Sequence, residues 1–176
     1  PFEWHKELFD HAKREEITIF SSPFDETAVD LLQELDAPAY KIASFELIDL
    51  PLIRRAAECN KPLLMSTGLA SLQEIRESLD VALKYGCGDV LLFHCISSYP
   101  APTHESNLNN IISLRKEFGV EVGLSDHTIS NIASITAVGL GAAAIEKHFK
   151  PNDDCDGPDS SFSINPTQLT SLIKDC

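Results

Sequence analysis

The feature that most constrains this chain is a regular alternation of short apolar runs with amphipathic stretches. Six runs have the length and aliphatic composition of buried strands, at 17–20, 39–42, 62–65, 90–93, 120–128 and 144–149. Helical periodicity separates or flanks them at 3–16, 26–35, 49–58, 71–84, 107–118, 131–141 and 166–175. Apolar strands that alternate with helices are typical of a parallel sheet covered by helices.

The spacing of these elements favours one fold class. Strand ends that recur about every 20 to 30 residues suit consecutive βα units, and no strand is followed by a Gly-x-Gly-x-x-Gly turn, which disfavours a dinucleotide-binding sheet. We therefore predict an α/β protein that forms part of a (β/α)8 TIM barrel, with about six of its eight βα units. The 176 residues are predicted to form a single domain.

Composition argues against several kinds of partner. The formal net charge of -13 is spread along the chain, so an extended nucleic acid is not expected to bind. No apolar run approaches the ~20 residues of a membrane span, and the amino end has no signal-peptide pattern, so we expect a cytoplasmic protein without a membrane partner. The five cysteines form no Cys-x-x-Cys pair, which fits reduced thiols in that compartment.

Two histidines follow the last two predicted strands. His127 and His148 come at the carboxyl ends of apolar runs that one helical crossover separates. A right-handed βαβ unit brings both ends to the same edge of a sheet, so the imidazoles are expected to face each other. Together with nearby oxygen groups they suit a divalent cation better than two unrelated structural histidines. The oxygen groups expected around them belong to Ser125, Asp126 and Glu146.

Hydroxyl side chains follow most of the predicted strands. Singly, each is expected to be a helix cap or turn residue, and Ser71 with Glu74 has the pattern of a capping box. Together they predict a ring of hydroxyl and N–H groups that binds a phosphorylated small molecule. Lys41 lies inside an apolar strand, and we interpret it as the fixed positive charge that binds a phosphate or carboxylate in this ring. The alternative is that Lys41 is a nucleophile that forms a Schiff base. The loop 151–159 is predicted to be a lid rather than a calcium loop.

Six motifs, in this order, resemble the nonulosonic (sialic) acid synthase family, and the resemblance covers the whole chain. The motifs are Ser21-Ser-Pro-Phe-Asp25, Tyr40-Lys-Ile-Ala-Ser44, Met65-Ser-Thr-Gly68, Tyr99-Pro-Ala-Pro102, Gly123-Leu-Ser-Asp-His-Thr128 and Ile145-Glu-Lys-His-Phe149. The segments 1–5, 42–46 and 159–163 are more similar to the pseudaminic acid synthase branch than to N-acetylneuraminate synthase.

The resemblance implies an enzyme that condenses phosphoenolpyruvate with an open-chain amino sugar. Phosphate is released by C–O cleavage, and the reaction needs Mn²⁺ or Mg²⁺. The branch implies a 6-deoxy diacetamido sugar as substrate and pseudaminic acid as product. An N-acetylneuraminate or legionaminate synthase that uses a different amino sugar is the alternative.

The resemblance also implies roles for individual residues. His127 and His148 match the metal-binding pair, Tyr99 and Asp159 fall where the family contacts the sugar, and Ser97 replaces an asparagine of the N-acetylneuraminate branch near the phosphoenolpyruvate. Lys41 and Glu146 are the candidate catalytic residues. Glu146 is chosen from its position rather than from the resemblance: it lies two residues before His148, on the same side of the strand, and is expected either to orient or deprotonate an attacking water or only to orient a neighbouring ligand. The residues that match the phosphoenolpyruvate site are Lys41, Ser44, Ser66 and Ser125, with Ser22 beside them.

Parts of the family's architecture have no counterpart in this sequence. The resemblance places two barrel strands before Pro1, and these strands carry a glutamate and a second lysine of the site. It places an antifreeze-like domain after Cys176, and this domain completes the partner's site in a homodimer. We therefore expect the 176-residue chain alone to be an inactive, unstable fragment. The alternatives are a Schiff-base aldolase or lyase that uses Lys41, and a non-catalytic phosphate-binding half-barrel.

Overall fold

A computed structural model describes residues 2–176, and this part of the chain contains seven α-helices and five β-strands. The helices are α1 (Phe2–Arg14), α2 (Glu26–Glu34), α3 (Leu50–Ala57), α4 (Leu72–Lys84), α5 (Asn109–Phe118), α6 (Ile132–Gly139) and α7 (Pro166–Asp175). The strands are β1 (Tyr40–Ile42), β2 (Leu63–Ser66), β3 (Val90–Cys95), β4 (Glu121–Asp126) and β5 (Ile145–Lys147). All seven predicted helices and five of the six predicted strands are therefore confirmed among the described residues.

The residues group into two compact units. Unit 1 contains the chain up to Met65 together with Ala70–Leu91, and unit 2 contains Ser66–Leu69 together with Leu92–Cys176. Both units consist of parallel strands that alternate with helices, so the predicted α/β class is confirmed. No helix of residues 2–176 is long and apolar enough to span a membrane.

In unit 1, β1 and β2 pair in parallel, with Tyr40 opposite Leu63. The segment 17–20, predicted to be a strand, is extended but forms no strand, and only Ser21 makes an isolated bridge to Tyr40. Ile17 is 64% exposed, because no strand among the described residues pairs with the other side of this segment. Local composition favoured a strand here, but a strand also needs a hydrogen-bonding neighbour along its length.

The helices of unit 1 are fixed by caps and by an apolar core. The predicted capping box of Ser71 and Glu74 is confirmed at the start of α4. The side chain of Asp49 caps the start of α3. Ser78 of α4 donates a hydrogen bond to the carbonyl of Leu47, which ties α4 to the turn before α3. The core residues of α3 are Leu52, Ile53, Ala56 and Ala57.

In unit 2, β3, β4 and β5 lie side by side in chain order. Ser66, the last residue of β2, also belongs to this unit. The β4–β5 pair is parallel, with Ser125 opposite Glu146 and α6 as the crossover. Gly123 has no room for a side chain, because a β-carbon there would lie 2.6 Å from the carbonyl oxygen of Ala144 and 2.8 Å from the ring of Phe93. The absence of a side chain at this position allows the strands to approach closely next to the predicted site.

Candidate active site

The two histidines at the ends of β4 and β5 face each other, as the sequence predicted. His127 follows Asp126, the last residue of β4, and His148 follows Lys147, the last residue of β5. Their ring centroids lie 5.4 Å apart. Two imidazoles that bind one cation through nitrogen atoms at about 2.1 Å have centroids roughly 4.5 to 6 Å apart, so the observed separation suits a shared cation.

The hydrogen bonds of His127 determine which nitrogen can bind a cation. Nδ1 lies 2.8 Å from the carbonyl oxygen of Ile96, so Nδ1 must carry the proton and Nε2 the lone pair. Ser125 Oγ lies 3.4 Å from Nε2 but only 2.6 Å from Oε1 of Glu146. The single hydroxyl proton is therefore donated to the carboxylate, which leaves the Nε2 lone pair available to a ligand.

The surroundings of His127 also favour its neutral form. Burial lowers the pKa of His127, the neighbouring His148 lowers it further, and the hydrogen bond to the Ile96 carbonyl acts in the opposite direction. His127 is only 6% exposed. A neutral imidazole is the form that binds a metal ion, so the site does not have to lose a proton from this ring at neutral pH.

Aromatic side chains enclose the histidine pair. Tyr99 lies against His127 with ring centroids 4.2 Å apart, and Phe162 lies against His148 at 4.9 Å. Tyr99 and Phe162 also contact each other, at 5.3 Å. No role was predicted for Phe162, although it lies in the segment 159–163 that carries part of the resemblance. A phenylalanine has no polar chemistry that distinguishes it from a core residue.

Two loops hold the remaining contacts of the pair. The N–H of Ala101 donates a 2.9 Å hydrogen bond to the carbonyl of His127, which attaches the loop of Tyr99 to the end of β4. Asp159 Oδ2 lies 3.5 Å from Nδ1 of His148, on the ring side opposite Nε2. Burial raises the pKa of Tyr99, and the negative charge at Glu146 and Asp159 contributes in the same direction.

Asp126 does not surround the imidazoles, contrary to the prediction from the sequence. Its carboxylate accepts hydrogen bonds from Lys147 Nζ at 2.7 Å and from Ser134 Oγ at 2.6 Å. Side chains alternate along a strand, so Asp126 lies on the face of β4 opposite to Ser125. The prediction grouped neighbouring polar residues by sequence and ignored this alternation.

The remaining predicted site residues are divided between the units. In unit 1, Lys41 is buried, and Ser22 and Ser44 are half-buried. In unit 2, Ser66 is buried, and the Ser97 hydroxyl is buried without a hydrogen-bond partner in the described part of the chain. A buried hydroxyl in this condition is suited to a polar ligand. The binding roles of all five stay predictions.

The donor set for a metal is small. No group of three or more His, Cys, Asp or Glu residues within 2–176 is arranged to hold a metal ion. The chemistry that fits is therefore two imidazole nitrogens, Nε2 of His127 and one of His148, with water and substrate oxygens at the other positions. Catalytic metal sites keep open positions of this kind, although three protein ligands are more usual for zinc.

The sequence model of the NeuB family matches residues 1–176 of the chain. The chain belongs to this family. It is 42% identical over 174 residues to the pseudaminic acid synthase of Helicobacter pylori, covering 99% of the chain and 51% of that protein. It is 45% identical over 170 residues to the N,N'-diacetyllegionaminic acid synthase of Campylobacter jejuni, covering 96% and 51%. The chain thus spans about half the length of the curated relatives it matches.

Solved structures agree with this assignment. The N-acetylneuraminic acid (sialic acid) synthetase of Leptospira borgpetersenii, solved in complex with citrate, matches with a TM-score of 0.95 and 29% identity, over 99% of this chain and 61% of that one. A truncated 3-deoxy-D-arabino-heptulosonate 7-phosphate synthase of Thermotoga maritima shares the fold alone, with a TM-score of 0.85 and 17% identity over 99% and 70%. The predicted fold class, part of a (β/α)8 barrel, is confirmed.

Proposed function

We propose that the protein containing this chain condenses phosphoenolpyruvate with an open-chain amino sugar and releases inorganic phosphate. The observation that carries the proposal is that His127 and His148 face each other. Nε2 of His127 carries no proton, and it lies beside the hydrogen bond from Ser125 to Glu146. Membership of the NeuB family and the names of the relatives support the same reaction.

We propose Mn²⁺ or Mg²⁺ as the cofactor, held by His127 and His148. When bound, such a cation supplies a Lewis acid that polarises the sugar aldehyde. The contribution of the chain is to orient the rings: the Ile96 carbonyl fixes the tautomer of His127, and Asp159 lies beside Nδ1 of His148. Tyr99 packs against the ring of His127 and Phe162 against the ring of His148.

In the proposed reaction, C3 of phosphoenolpyruvate attacks the aldehyde carbon and forms the new C–C bond. Water adds to C2, and the resulting tetrahedral intermediate loses phosphate when the C2–O bond breaks. Glu146 is the candidate acceptor for the proton of that water, and Ser125 holds one of its oxygens by the 2.6 Å hydrogen bond. Lys41 is proposed to neutralise charge on the phosphoenolpyruvate, together with the hydroxyls of Ser22, Ser44, Ser66 and Ser125.

For the sugar, we propose a 6-deoxy diacetamido sugar that yields pseudaminic acid. The 159–163 segment and Ser97 support this branch, since Ser97 has a short hydroxyl where the N-acetylneuraminate branch has an asparagine. A legionaminate synthase is the second candidate, supported by 45% identity to a diacetyllegionaminic acid synthase, compared with 42% for a pseudaminic acid synthase. We also propose that the full-length protein is a homodimer.

The test is a phosphate-release assay with the full-length protein. Phosphoenolpyruvate and Mn²⁺ are supplied with the pseudaminate precursor, the legionaminate precursor or N-acetylmannosamine in parallel, each with and without a chelator. We expect sugar-dependent release that the chelator abolishes, fastest with the pseudaminate precursor. Full turnover after exhaustive chelation would refute the metal, a faster rate with another sugar would reassign the substrate, and no release with any sugar would refute the synthase.

A further inference from the structure

The face of the β4–β5 pair away from the histidines contains a buried ion pair that the proposed chemistry does not use. Lys147 Nζ lies 2.7 Å from Oδ2 of Asp126, and the two side chains are 4% and 1% exposed. The two residues are direct partners across the parallel ladder. Burial of two charges costs several kcal/mol per ion, so a buried pair is weak evidence for stability by itself and invites a search for another role.

The hydrogen bonds of Lys147 converge on the loop that follows His127. An ammonium group has three N–H donors, and Lys147 Nζ has three oxygen acceptors: Asp126 Oδ2 at 2.7 Å, the carbonyl of Thr128 at 2.6 Å and the carbonyl of Ser130 at 3.3 Å. One side chain of β5 therefore holds the backbone immediately after β4.

The carboxylate of Asp126 completes the same network. Oδ1 accepts a 2.8 Å hydrogen bond from the N–H of Thr128, and Oδ2 accepts one from Ser134 of α6 at 2.6 Å. His127 is the single residue between Asp126 and Thr128, so the chain is fixed immediately before and after it. Lys147 is also the covalent neighbour of His148, which links the network to the second imidazole.

We propose that Asp126 and Lys147 are positioning residues that hold the backbone of His127, and through it the direction of the His127 Nε2 lone pair relative to His148. The role in metal binding rests on the proposed function, whereas the orientation of the ring does not. The hydrogen bonds of the network described above end on neither imidazole but on the main chain and on Ser134, so the proposed action on the ring is through the backbone.

The test uses the full-length protein, three variants of the charged networks and a fourth variant for spectral assignment. Lys147→Met leaves the Asp126 charge buried and unpaired, so it is expected to lower stability and to weaken Mn²⁺ binding 10- to 100-fold, the usual range when a supporting contact of a metal ligand is lost. The double variant Asp126→Asn/Lys147→Met removes both charges. We expect it to recover stability but not Mn²⁺ affinity, because the hydrogen bonds to the Thr128 and Ser130 carbonyls stay lost.

Arg55→Met in unit 1 is the matched control. Arg55 pairs with Asp30 at 2.6 Å and bonds Gln33 at 2.7 Å, so its loss also removes a charged network. We expect this variant to be less stable than the wild type and to bind Mn²⁺ with unchanged affinity. A fall in Mn²⁺ affinity for Arg55→Met equal to that of the double variant would mean that destabilisation alone weakens the site, and would overturn the proposal.

A readout without metal separates this proposal from the metal proposal. Long-range ¹H–¹⁵N spectra of histidine-labelled, metal-free protein report the tautomer of each ring, and His127→Gln assigns the signal. We expect a single Nδ1–H tautomer for wild-type His127 and a mixture in the double variant. An unchanged tautomer and unchanged Mn²⁺ affinity in the double variant would overturn the positioning role. If the wild type binds no Mn²⁺, the metal proposal fails and the tautomer of the double variant still decides this one.

Discussion

Two regions of the molecule have equally clear sequence patterns and very different surroundings. The amino-terminal region of unit 1, α1 with the segment 17–20, buries little of its apolar surface. Ala12 is the one buried residue of α1, and Trp4, Leu8 and Ile17 are all more than half exposed. The carboxyl end of the β4–β5 pair in unit 2 has a paired ladder, and Ser125, Asp126 and His127 there are all buried.

The difference shows what a periodic pattern can and cannot predict. An amphipathic pattern is enough to form α1, because helical hydrogen bonds are local. A strand and a buried face both need a neighbour, and within residues 2–176 the segment 17–20 pairs with no strand, since the one bridge here is made by the next residue, Ser21. In β4, by contrast, the neighbouring strands fix the direction of each side chain. The four predictions below test this contrast, from the largest expected effect to the smallest.

The largest effect is expected at the end of the β4–β5 pair, on turnover rather than on stability. His148→Ala in the full-length protein removes one of the two proposed protein ligands, so phosphate release should fall at least about a thousandfold, because a Lewis acid supplies several kcal/mol to the barrier. The His148 side chain is one-third exposed, so the free energy of unfolding should change by less than about 1 kcal/mol. Steady-state phosphate assays and urea unfolding measure the two quantities, and wild-type turnover would refute the assignment.

Paired substitutions in two helices of unit 1 compare buried with exposed apolar residues directly. Ile53→Ala in α3 removes a fully buried side chain and should cost about 2–5 kcal/mol of stability. Leu8→Ala in α1, where the residue is 52% exposed, should cost less than about 1 kcal/mol. Urea unfolding of each chain is the measurement. Equal losses would show that the exposed face of α1 is buried in solution.

The third prediction concerns the contribution of unit 1 to substrate binding. Lys41→Met should weaken the binding of phosphoenolpyruvate by about 1.5–3 kcal/mol, which is roughly 10- to 150-fold in affinity, since the proposed charge-assisted contact to an anion is lost. The affinity for the sugar should change much less. Isothermal titration with each substrate separately gives both values. An equal loss for the two substrates would remove Lys41 from this role, and a borohydride-trapped adduct with pyruvate would favour the aldolase alternative.

The smallest effect concerns a buried polar group of β3. The Nε2–H of His94 donates a 2.7 Å hydrogen bond to the Ser106 carbonyl, and burial, the main cause, lowers the pKa of His94 although this bond opposes the shift. The folded pKa lies below the unfolded value of about 6.5, so as pH falls below about 6.5 the unfolded state binds the proton first. His94 therefore favours folding above that pH, and its contribution is lost as pH falls towards the folded pKa.

His94→Asn should consequently show a shallower loss of unfolding free energy between pH 7.5 and 5.5 than the wild type. Urea unfolding across this range measures the slope for both proteins. The control variant His104→Asn, which changes an exposed histidine, should retain the wild-type slope. Identical slopes for wild type and His94→Asn would contradict the buried neutral state of His94.

The sequence predicted the fold class and the facing of the two histidines because both depend on periodicity and handedness. The right-handed crossover between β4 and β5 was sufficient to place His127 opposite His148. Asp126 was misplaced because adjacent residues of a strand point to opposite faces, and its partner Lys147 was consequently missed. Phe162 could not be found, since its role depends on a loop that returns to the histidines through the Phe149–Ile164 bridge.

The lack of space at Gly123 has a consequence for the separation of the two histidines. Gly123 lies on β4 two residues before Ser125 and four before His127, and its α-carbon is closely covered by the Ala144 carbonyl and the Phe93 ring. A larger residue there would have to push β5 outward and would move His148 away from His127. The separation of the two imidazoles, and with it the size of the cation proposed for them, therefore depends on the one position in this strand that has no side chain.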